Sequence, residues 1–401
     1  MSALLPVAEA LVQVLARAEP ILDVIELTLL DALGHVLADD IISPIAVPGD
    51  DNSAMDGYAL RAADAAQPIP VSQRIPAGSL GVPLEPGTAA RIFTGAPIPT
   101  DADAVVMQEN CSEVAGVVSI EGDVRPGQNI RPRGQDIAEG ETILARGRTL
   151  RPQDIGLLAS IGCATVNVLR PLRVAVLSTG DELVEPGSGA LKGGQLYNSN
   201  RYTLAGLLRG LNIEFIDGGI IADDPEITAR ALQHAAASAD CVITSGGVSV
   251  GEEDHVKAQV ERLGELALWK LAIKPGKPLA FGRIGDTPFI GLPGNPTSVF
   301  VTFCLIARPF LLKLQGAVEP EPPRLQAKAA FTVERPGSRQ EYLRVTLENT
   351  PEGLTARKFD NQSSGVLSSV SHSNALAVIP SGSTVTEGQK VAVMLLDLLA
   401  R

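Results

Sequence analysis

The chain has few aromatic residues and no surplus of positive charge. Phe, Trp and Tyr make up 3% of its 401 residues, and 46 acidic against 33 basic residues give a net charge of −13. Phosphate contacts need a basic surface, and single-stranded nucleic acids are bound by stacking on aromatic rings. The composition therefore argues against a nucleic-acid-binding protein, and we expect no nucleic-acid partner.

Long apolar runs and targeting signals are lacking as well. The most apolar stretch, 298–312, is shorter than the roughly 18 residues that a membrane-spanning helix needs, and Arg308 and Pro309 interrupt it. The N-terminal run MSALLPVAEALVQVL has no early Lys or Arg, unlike a signal peptide. The four cysteines lie far apart without a CxxC pair, which argues against a zinc site or a disulfide framework. We expect a cytoplasmic protein without a membrane segment.

The zinc-hydrolase signature HExxH is also missing. The four histidines are scattered, so hydrolases built on that motif are disfavoured. The chain is instead rich in Gly (39) and Pro (29), which predicts many turns and shaped loops rather than a helical bundle.

The clearest structural pattern covers residues 171–315. Short apolar strands alternate there with helices, which predicts a doubly wound, mostly parallel α/β domain. After the linker EPEPP, residues 325–401 alternate strand-like runs with turns and predict a small C-terminal β-barrel-like domain.

The first part of the chain has a different texture. Residues 46–140 carry short Val- and Ile-rich runs between Pro and Gly and predict a β-rich domain. Residues 1–45 and 141–170 predict an elongated, mixed α/β N-terminal domain made of two separated segments. Residues 5–40 are expected to be helical, in two pieces that are split near Glu19-Pro20.

Three loops of the predicted α/β domain each follow a buried strand. Ligands of open α/β sheets bind outside the carboxyl ends of the strands, so these loops should line one crevice. Glycines let backbone N–H groups approach a phosphate or oxyanion, although ordinary turn glycines remain the alternative. The candidate substrate-binding residues are Ser178, Thr179 and Gly180; Ser245, Gly246, Gly247 and Ser249; and Pro293, Gly294, Asn295 and Pro296.

Charged residues lie close to these loops in the sequence. Lys274 and Lys277, in AIKPGKP, are candidates for holding an oxyanion as point charges, against the alternative of a solvated basic turn. Glu182, Asp254 and Asp224 are candidate Mg²⁺ ligands, because carboxylates beside phosphate-binding loops commonly hold this ion. For Asp224, capping of the following helix is the competing interpretation.

A second group of polar residues lies in the β-rich region. Asp56 occurs in PGDDNSAMDGYA, Thr94 in RIFTGAPIP, and Arg131 and Asp136 in NIRPRGQDI. From the residues alone these could be contacts between domains.

Taken together, these segments point to one family. The chain resembles the MoeA family of molybdopterin molybdenumtransferases of molybdenum-cofactor biosynthesis, which is also seen as the E domain of gephyrin. The resemblance is nearly full-length. Its motifs, in the order of the family, are PGDDNSAMDGYA, RIFTGAPIP, AVVMQE, GQNIRPRGQDI, STGDEL, TSGGVSVGEED, WKLAIKPGKPLAFG and GLPGNP.

The resemblance implies a four-domain homodimer with its active site between subunits. The 171–315 unit would resemble molybdopterin adenylyltransferase. The implied reaction is Mg²⁺-dependent and joins molybdate to adenylylated molybdopterin with release of AMP. The adenylyltransferase itself is an implied partner that would hand over the labile intermediate.

The family's functional residues carry over onto this chain as follows. The resemblance implies catalytic roles for Asp56, Thr94, Asp136, Glu182 and Asp254. It implies anion binding by Lys274, Lys277 and Arg131, a molybdate-side loop shaped by Pro293 and Pro296, and a contribution from Ser364 in the C-terminal domain.

One position departs from the family pattern. Where many members have YDTN or RDSN, this chain has Tyr197-Asn198-Ser199-Asn200, so a neutral amide replaces a carboxylate. Ser199 is expected to cap the next helix. Two other functions stay open: the adenylyltransferase activity, which the long N-terminal region disfavours, and a non-catalytic scaffold, which the intact loops disfavour.

Overall fold

A computed structural model describes residues 4–248, 255–318 and 322–400 of the chain. Its helices are α1 (Val7–Leu15), α2 (Pro152–Ser160), α3 (Ser199–Gly210), α4 (Pro225–Ser238), α5 (His255–Leu263), α6 (Pro296–Thr302), α7 (Arg308–Leu314), α8 (Ser368–Ser371) and α9 (Leu396–Leu399).

The strands of the first half are β1 (Val24–Thr28), β2 (Val36–Leu37), β3 (Ile41–Ile42), β4 (Asn52–Ser53), β5 (Gly57–Leu60), β6 (Ile69–Ile75), β7 (Ala89–Ile92), β8 (Ala104–Met107), β9 (Cys111–Val114), β10 (Val117–Ile120), β11 (Ile130–Arg131), β12 (Thr142–Leu144) and β13 (Thr165–Leu169).

The strands of the second half are β14 (Arg173–Thr179), β15 (Leu183–Val184), β16 (Leu196–Tyr197), β17 (Glu214–Ile221), β18 (Cys241–Ser245), β19 (Gly264–Lys270), β20 (Ile273–Lys274), β21 (Pro278–Ile284), β22 (Thr287–Leu292), β23 (Leu325–Ala329), β24 (Gln340–Thr350), β25 (Gly353–Lys358), β26 (Ala375–Ile379) and β27 (Lys390–Leu395).

The central sheet of the α/β unit has the order β17-β14-β18-β22-β21-β19. Its first four strands are parallel, and β21 and β19 add an antiparallel edge. Strand β18 is buried along its whole length, because helices and loops cover both faces of a parallel sheet. The predicted doubly wound, mostly parallel α/β fold is confirmed, and the antiparallel edge is an addition to it.

The apolar run near residue 300 forms one long helical stretch in the core. Residues 296–314 are apolar and long enough to cross a membrane by length and composition, but 89% of the apolar window is buried inside the chain. Such burial is typical of a core helix. Pro309 was expected to interrupt the run, yet the stretch continues because a π-helical turn, Phe303–Ala307, lies between α6 and α7. Local widening of this kind accommodates backbone that cannot keep the regular helical hydrogen bonds.

The prediction of a second helix in the N-terminal segment, after Glu19-Pro20, is wrong. After α1 the chain forms strands, and β13 pairs antiparallel with both β1 and β2 in one three-stranded sheet. Helix α1 packs elsewhere: Ala10 and Val14 are fully buried in the core that also contains Leu311 of α7. The segment before residue 45 therefore contributes to two separate cores.

The β-rich region contains a six-stranded sheet with the order β8-β5-β7-β6-β10-β9. Small residues such as Ala59 and Ala90 are completely buried between its strands. Two short strand pairs, β11 with β4 and β12 with β3, connect this region to the loops around it. The C-terminal strands close into a barrel, since β24 pairs with both β25 and β26, and β20 of the α/β unit joins its edge. The predicted β-barrel-like domain is thus confirmed.

Candidate active site

The three glycine-containing loops meet at one edge of the central sheet. Strands β14, β18 and β22 are neighbours and parallel, so their carboxyl ends lie side by side. The Gly246 N–H donates to the Leu292 carbonyl at 3.1 Å. A Cβ on Gly247, whose φ is +65°, would lie 2.9 Å from Thr179 Oγ1. Glycine is therefore needed there for two reasons, the left-handed backbone and the close approach of the neighbouring loop.

Outside this edge lies a cleft of about 640 Å³. One wall is formed by the strand-end loops, and the other comes from the C-terminal barrel. Eight residues predicted from the sequence line it: Glu182, Lys274, Lys277, Pro293, Gly294, Asn295, Pro296 and Ser364.

The remaining predicted residues of the α/β unit lie in the same strand-end loops. Ser178 and Ser245 are buried, with hydroxyl oxygens 3.4 Å apart, and Thr179, Gly180 and Gly246 continue these loops. The predictions for Ser249 and Asp254 fall outside the described residues.

Lys274 is not the isolated point charge that the sequence suggested. Its ammonium lies 3.1 and 3.2 Å from the two carboxylate oxygens of Glu341, whose side chain is only 16% exposed. The pairing follows from strand register, because β20 and β24 place these two residues side by side. Lys277 makes no ion pair within the described residues, so it carries the uncompensated positive charge of this loop.

The loop holding both lysines is anchored in the fold. Pro275 and Gly276 are buried. Gly276 has a φ of +106°, and a Cβ on it would clash with Thr302 Oγ1. The Leu271 N–H also donates to the Lys277 carbonyl at 2.7 Å. The two ammonium groups are thereby held on the outside of a rigid turn, which is the preorganisation that anion binding needs.

The cleft also contains residues that were not identified as functional from the sequence. Arg339, Gln362 and Ser363 line it from the barrel side, and Leu196 and Ser298 line it from the α/β unit. Arg339 donates to the Ile273 carbonyl at 3.1 Å, which places a guanidinium beside the lysine loop. No local motif marks this arginine, because only the pairing of β20 with β24 brings it there.

Ser363 and Ser364 are held by buried groups behind the cleft. The Thr297 N–H donates to the Ser364 carbonyl at 3.0 Å. The buried guanidinium of Arg344 donates to the Ser363 carbonyl at 3.3 Å and to Ser369 Oγ at 3.1 Å. Burial lowers the pKa of Arg344 to about 10, which still leaves it charged at neutral pH. Arg344 therefore adds positive charge behind the cleft.

The candidate magnesium ligands have different surroundings. Asp224 caps α4, since its Oδ1 accepts from the Glu226 and Ile227 N–H groups at 2.9 and 2.8 Å. Glu182 is exposed and its carboxylate folds over Gly180, without a hydrogen bond or ion pair to any described residue. Within that part of the chain no group of three His, Cys, Asp or Glu side chains could hold a metal. Mg²⁺ needs only one or two protein carboxylates when substrate phosphates complete its shell, so Glu182 fits such a role.

Asn198, where the chain departs from the expected pattern, is a buried helix cap. Its Oδ1 accepts from the Arg201 N–H at 3.3 Å, so Asn198, not Ser199, caps α3. Its Nδ2 faces Glu185 Oε1 at 3.5 Å. A carboxylate at this position would lie against the carboxylate of Glu185. The neutral amide is therefore matched to its neighbour in this chain.

Asp56 and Thr94 form a tight pair on the β-rich sheet. Asp56 Oδ1 accepts from both the backbone N–H and the hydroxyl of Thr94, each at 2.8 Å. The two hydrogen bonds, helped by the charge of Arg91, hold the pKa of Asp56 below its ordinary value. Asp56 is thus an ionised, exposed carboxylate in a fixed orientation.

Arg131 and Asp136 lie in the same region. Arg131 pairs in register with Asn52, and the Asp136 N–H donates to the Val47 carbonyl at 3.0 Å. Both side chains are exposed. None of Asp56, Thr94, Arg131 and Asp136 lines the cleft, and no hydrogen bond or ion pair among the described residues joins them to it. The structure thus brings the predicted residues together in two separate groups.

Comparison with known families gives matches along most of the chain. The MoeA N-terminal region (domain I and II) matches residues 5–162. A probable molybdopterin binding domain matches residues 175–313. The MoeA C-terminal region (domain IV) matches residues 326–396.

Individual relatives agree with these matches. A molybdopterin molybdenumtransferase of Haemophilus influenzae is 42% identical over 376 residues, which cover 90% of this chain and 92% of the relative. Molybdopterin molybdenumtransferase 2 of Mycobacterium tuberculosis is 38% identical, covering 81% and 84% of the two chains. The crystal structure of a molybdopterin biosynthesis MoeA protein from Pyrococcus horikoshii OT3 superposes with a TM-score of 0.85 at 32% identity, covering 98% and 100%.

Proposed function

Because the chain belongs to the MoeA family of molybdopterin molybdenumtransferases, we propose that it transfers molybdenum to molybdopterin in molybdenum-cofactor biosynthesis. The observation that carries this proposal is the cleft where two of the strand-end loops, through Glu182 and through Pro293 to Pro296, meet the lysine loop. Backbone N–H donors and cations at strand ends suit two anionic substrates, one that carries phosphate groups and one that is a tetrahedral metal oxyanion.

The substrates of the proposed reaction are molybdate and adenylylated molybdopterin. The two thiol sulfurs of molybdopterin bind molybdenum and displace one oxygen of molybdate, which leaves as water with the two thiol protons. The phosphoanhydride bond breaks, AMP leaves, and a second water molecule supplies the oxygen that completes the remaining phosphate. Lys277, with Lys274 and Ser364, binds the oxyanion, and Pro293 and Pro296 shape the loop beside it. The glycine loops around Gly180 and Gly246 hold the nucleotide phosphates through their backbone.

Magnesium has a defined place in this proposal. Glu182, together with Asp254, would hold Mg²⁺ against the phosphoanhydride, where a divalent ion offsets the negative charge of the phosphates. Asp224 is a weaker ligand candidate, since one of its oxygens already caps α4.

The second group of residues completes the site if the protein is a homodimer. In that arrangement Asp56, Thr94, Arg131 and Asp136 of one subunit face the cleft of the other. Their exposure and their separation from the cleft within one chain support this assignment. The ionised Asp56 then orients water or the metal oxyanion at the reacting phosphate.

The setting of the protein follows from the same proposal. We assign it to the cytoplasm, where its four cysteines stay free thiols. Molybdopterin adenylyltransferase is the proposed donor of the labile adenylylated intermediate. The division into segments 1–45 with 141–170, 46–140, 171–315 and 325–401 is retained as the proposed domain organisation.

A turnover assay tests the function directly. Purified protein receives adenylylated molybdopterin, Mg²⁺ and molybdate, and AMP release and cofactor formation are followed together. We expect molybdate-dependent AMP release, and a loss of at least about 100-fold in Glu182→Gln. Glu214→Gln, an exposed carboxylate at the opposite end of the sheet, is the matched control. Nucleotide binding without molybdate-dependent turnover would replace the transferase with a carrier or scaffold.

A further inference from the structure

An arginine pair lies on the β-rich sheet outside the residues assigned above. Arg74 of β6 and Arg91 of β7 are directly opposite in register. Both guanidinium groups contact the ring of Phe93, with the guanidinium carbons of Arg74 and Arg91 at 4.6 and 4.9 Å from its centre. Tyr58, opposite Arg91 on the other side, is 5.0 Å from the same guanidinium. These cation–π contacts restrain the positions of both guanidinium groups.

The charge of this pair is only partly compensated, since Arg91 acts on the carboxylate of Asp56 without forming an ion pair with it. Like charges that face each other across neighbouring strands repel and destabilise a sheet. Neither arginine forms an ion pair with a carboxylate in the described part of the chain. Several arginines elsewhere do form ion pairs, such as Arg133 with Glu139 and Arg357 with Glu348. The pair thus places two positive charges side by side in a chain with a net charge of −13.

Both guanidinium groups have N–H donors that make no hydrogen bond among the described residues. Arg91 uses two N–H groups, one on the Gly57 carbonyl at 3.1 Å and one on Gln108 Oε1 at 2.6 Å. A guanidinium has five N–H donors, so Arg91 retains others. Arg74 is exposed and has no hydrogen-bond partner among the described residues. A single tetrahedral oxyanion placed between them can accept from both forks and remove their repulsion.

We propose that Arg74 and Arg91, held by Phe93, form an oxyanion-binding site for the phosphate of the substrate. This assignment rests on the proposed function, because it adds a phosphate contact on the β-rich side of the divided active site. The location supports it. Thr94 directly follows Phe93, and Asp56 lies two residues before Tyr58 on the same strand edge, so the site adjoins the Asp56–Thr94 pair.

Binding measurements with simple anions test the proposal. The full-length protein is titrated calorimetrically with inorganic pyrophosphate, as a stand-in for the phosphoanhydride, and separately with molybdate. We expect Arg74→Gln to weaken pyrophosphate binding about tenfold. Arg74→Lys keeps the positive charge but lacks the planar pair of N–H donors. Its pyrophosphate affinity should therefore lie between those of the wild-type protein and Arg74→Gln. Arg357→Gln, which removes an exposed, carboxylate-paired arginine, is the matched control.

The second readout locates the effect. Pyrophosphate should slow amide hydrogen exchange in residues 88–95 of the wild-type protein but not of Arg74→Gln. Weakened molybdate binding with unchanged pyrophosphate binding would overturn the assignment to the phosphate of the substrate. Unchanged binding of both anions in Arg74→Gln, with the wild-type melting temperature, overturns the proposal.

Failure of the proposed function would look different. If the wild-type protein binds pyrophosphate through Arg74 but shows no molybdate-dependent AMP release, the anion site is supported and the transferase function is refuted. If turnover is full and Arg74→Gln affects the binding of neither anion, the transferase function is supported and the anion site is refuted.

Discussion

The two candidate halves of the active site are built in different ways. The cleft half lies at the ends of buried parallel strands, and rigid loops from distant parts of one chain meet there. The Asp56 half presents exposed side chains on a sheet surface, and within the described chain nothing faces them. Strand ends preorganise a pocket by backbone geometry alone. A set of oriented but uncovered side chains instead indicates that a second surface completes it.

The two halves also differ in how their positive charge is balanced. In the cleft, Glu341 neutralises Lys274. On the sheet, Arg74 contacts Phe93 and forms no ion pair in the described part of the chain, whereas the charge of Arg91 also acts on the carboxylate of Asp56. An anion that approaches Lys274 must compete with Glu341, whereas an anion that approaches Arg74 meets no ion-paired carboxylate. We therefore expect anion binding in the cleft to respond to removal of Glu341, and anion binding on the sheet to depend mainly on Arg74.

The largest expected effect is rescue in mixed dimers. Chains carrying Asp56→Asn and chains carrying Glu182→Gln are tagged differently, co-expressed and purified as heterodimers. If each site takes Asp56 from one subunit and Glu182 from the other, one site of the heterodimer is intact and about half of the wild-type turnover returns. Both homodimers stay inactive.

A matched control removes every intact site. Heterodimers of Glu182→Gln with the double variant Asp56→Asn/Glu182→Gln should remain inactive. If the first heterodimer is as inactive as its parents, the two halves act within one chain and the divided site is wrong.

Removing the competitor in the cleft should give a smaller effect. Glu341→Gln leaves Lys274 without a counter-charge, so the molybdate dissociation constant should fall about tenfold, equivalent to 1.4 kcal/mol. The measurement is calorimetric titration with molybdate at low and high salt, with the larger gain at low salt. Glu348→Gln, on the same strand but paired with Arg357, is the control. Weaker molybdate binding in Glu341→Gln would show instead that Glu341 positions Lys274.

The smallest effect concerns the ionisation of Asp56. Thr94→Val removes the hydroxyl donor and keeps the backbone donor, so the pKa of Asp56 should rise toward its ordinary value of 3.8. A carboxyl group whose pKa is lower in the folded state stabilises the fold at pH values above its unfolded-state pKa. In Thr94→Val the contribution of Asp56 should therefore be smaller, and on acidification it should be lost at a higher pH than in the wild-type protein. Carbon-detected NMR titration of the Asp56 carboxyl measures the shift. Thr88→Val is the control, and an unchanged Asp56 titration would contradict the assigned hydrogen bond.

Much of the fold could be predicted, because buried parallel strands occur in the sequence as short apolar runs between helices. The strand after Glu19-Pro20 could not be predicted, because the apolar residues of LDVIELTLL fit a helical and a strand period equally well. The partner that decides it, β13, lies far away in the sequence.

The site shows the same limit. The glycine loops were predictable because each directly follows its own strand. The Lys274–Glu341 pair and the position of Arg339 depend on β20 joining the barrel, which no local pattern marks. The cap of α3 was placed one residue late, because Ser and Asn are both good caps and only the folded loop selects Asn198.

The pairing of β1 with β13 has a consequence for the order of folding. Thr28 pairs with Thr165, so about 140 residues must be made before this sheet can close. At synthesis rates of about 5–20 residues per second, β1 waits about 7 to 30 seconds for its partner. The β-rich region is complete before then and can fold first, which shortens the loop that β13 has to close. On the ribosome, the sheet at the start of the chain is therefore expected to form after the one that interrupts it.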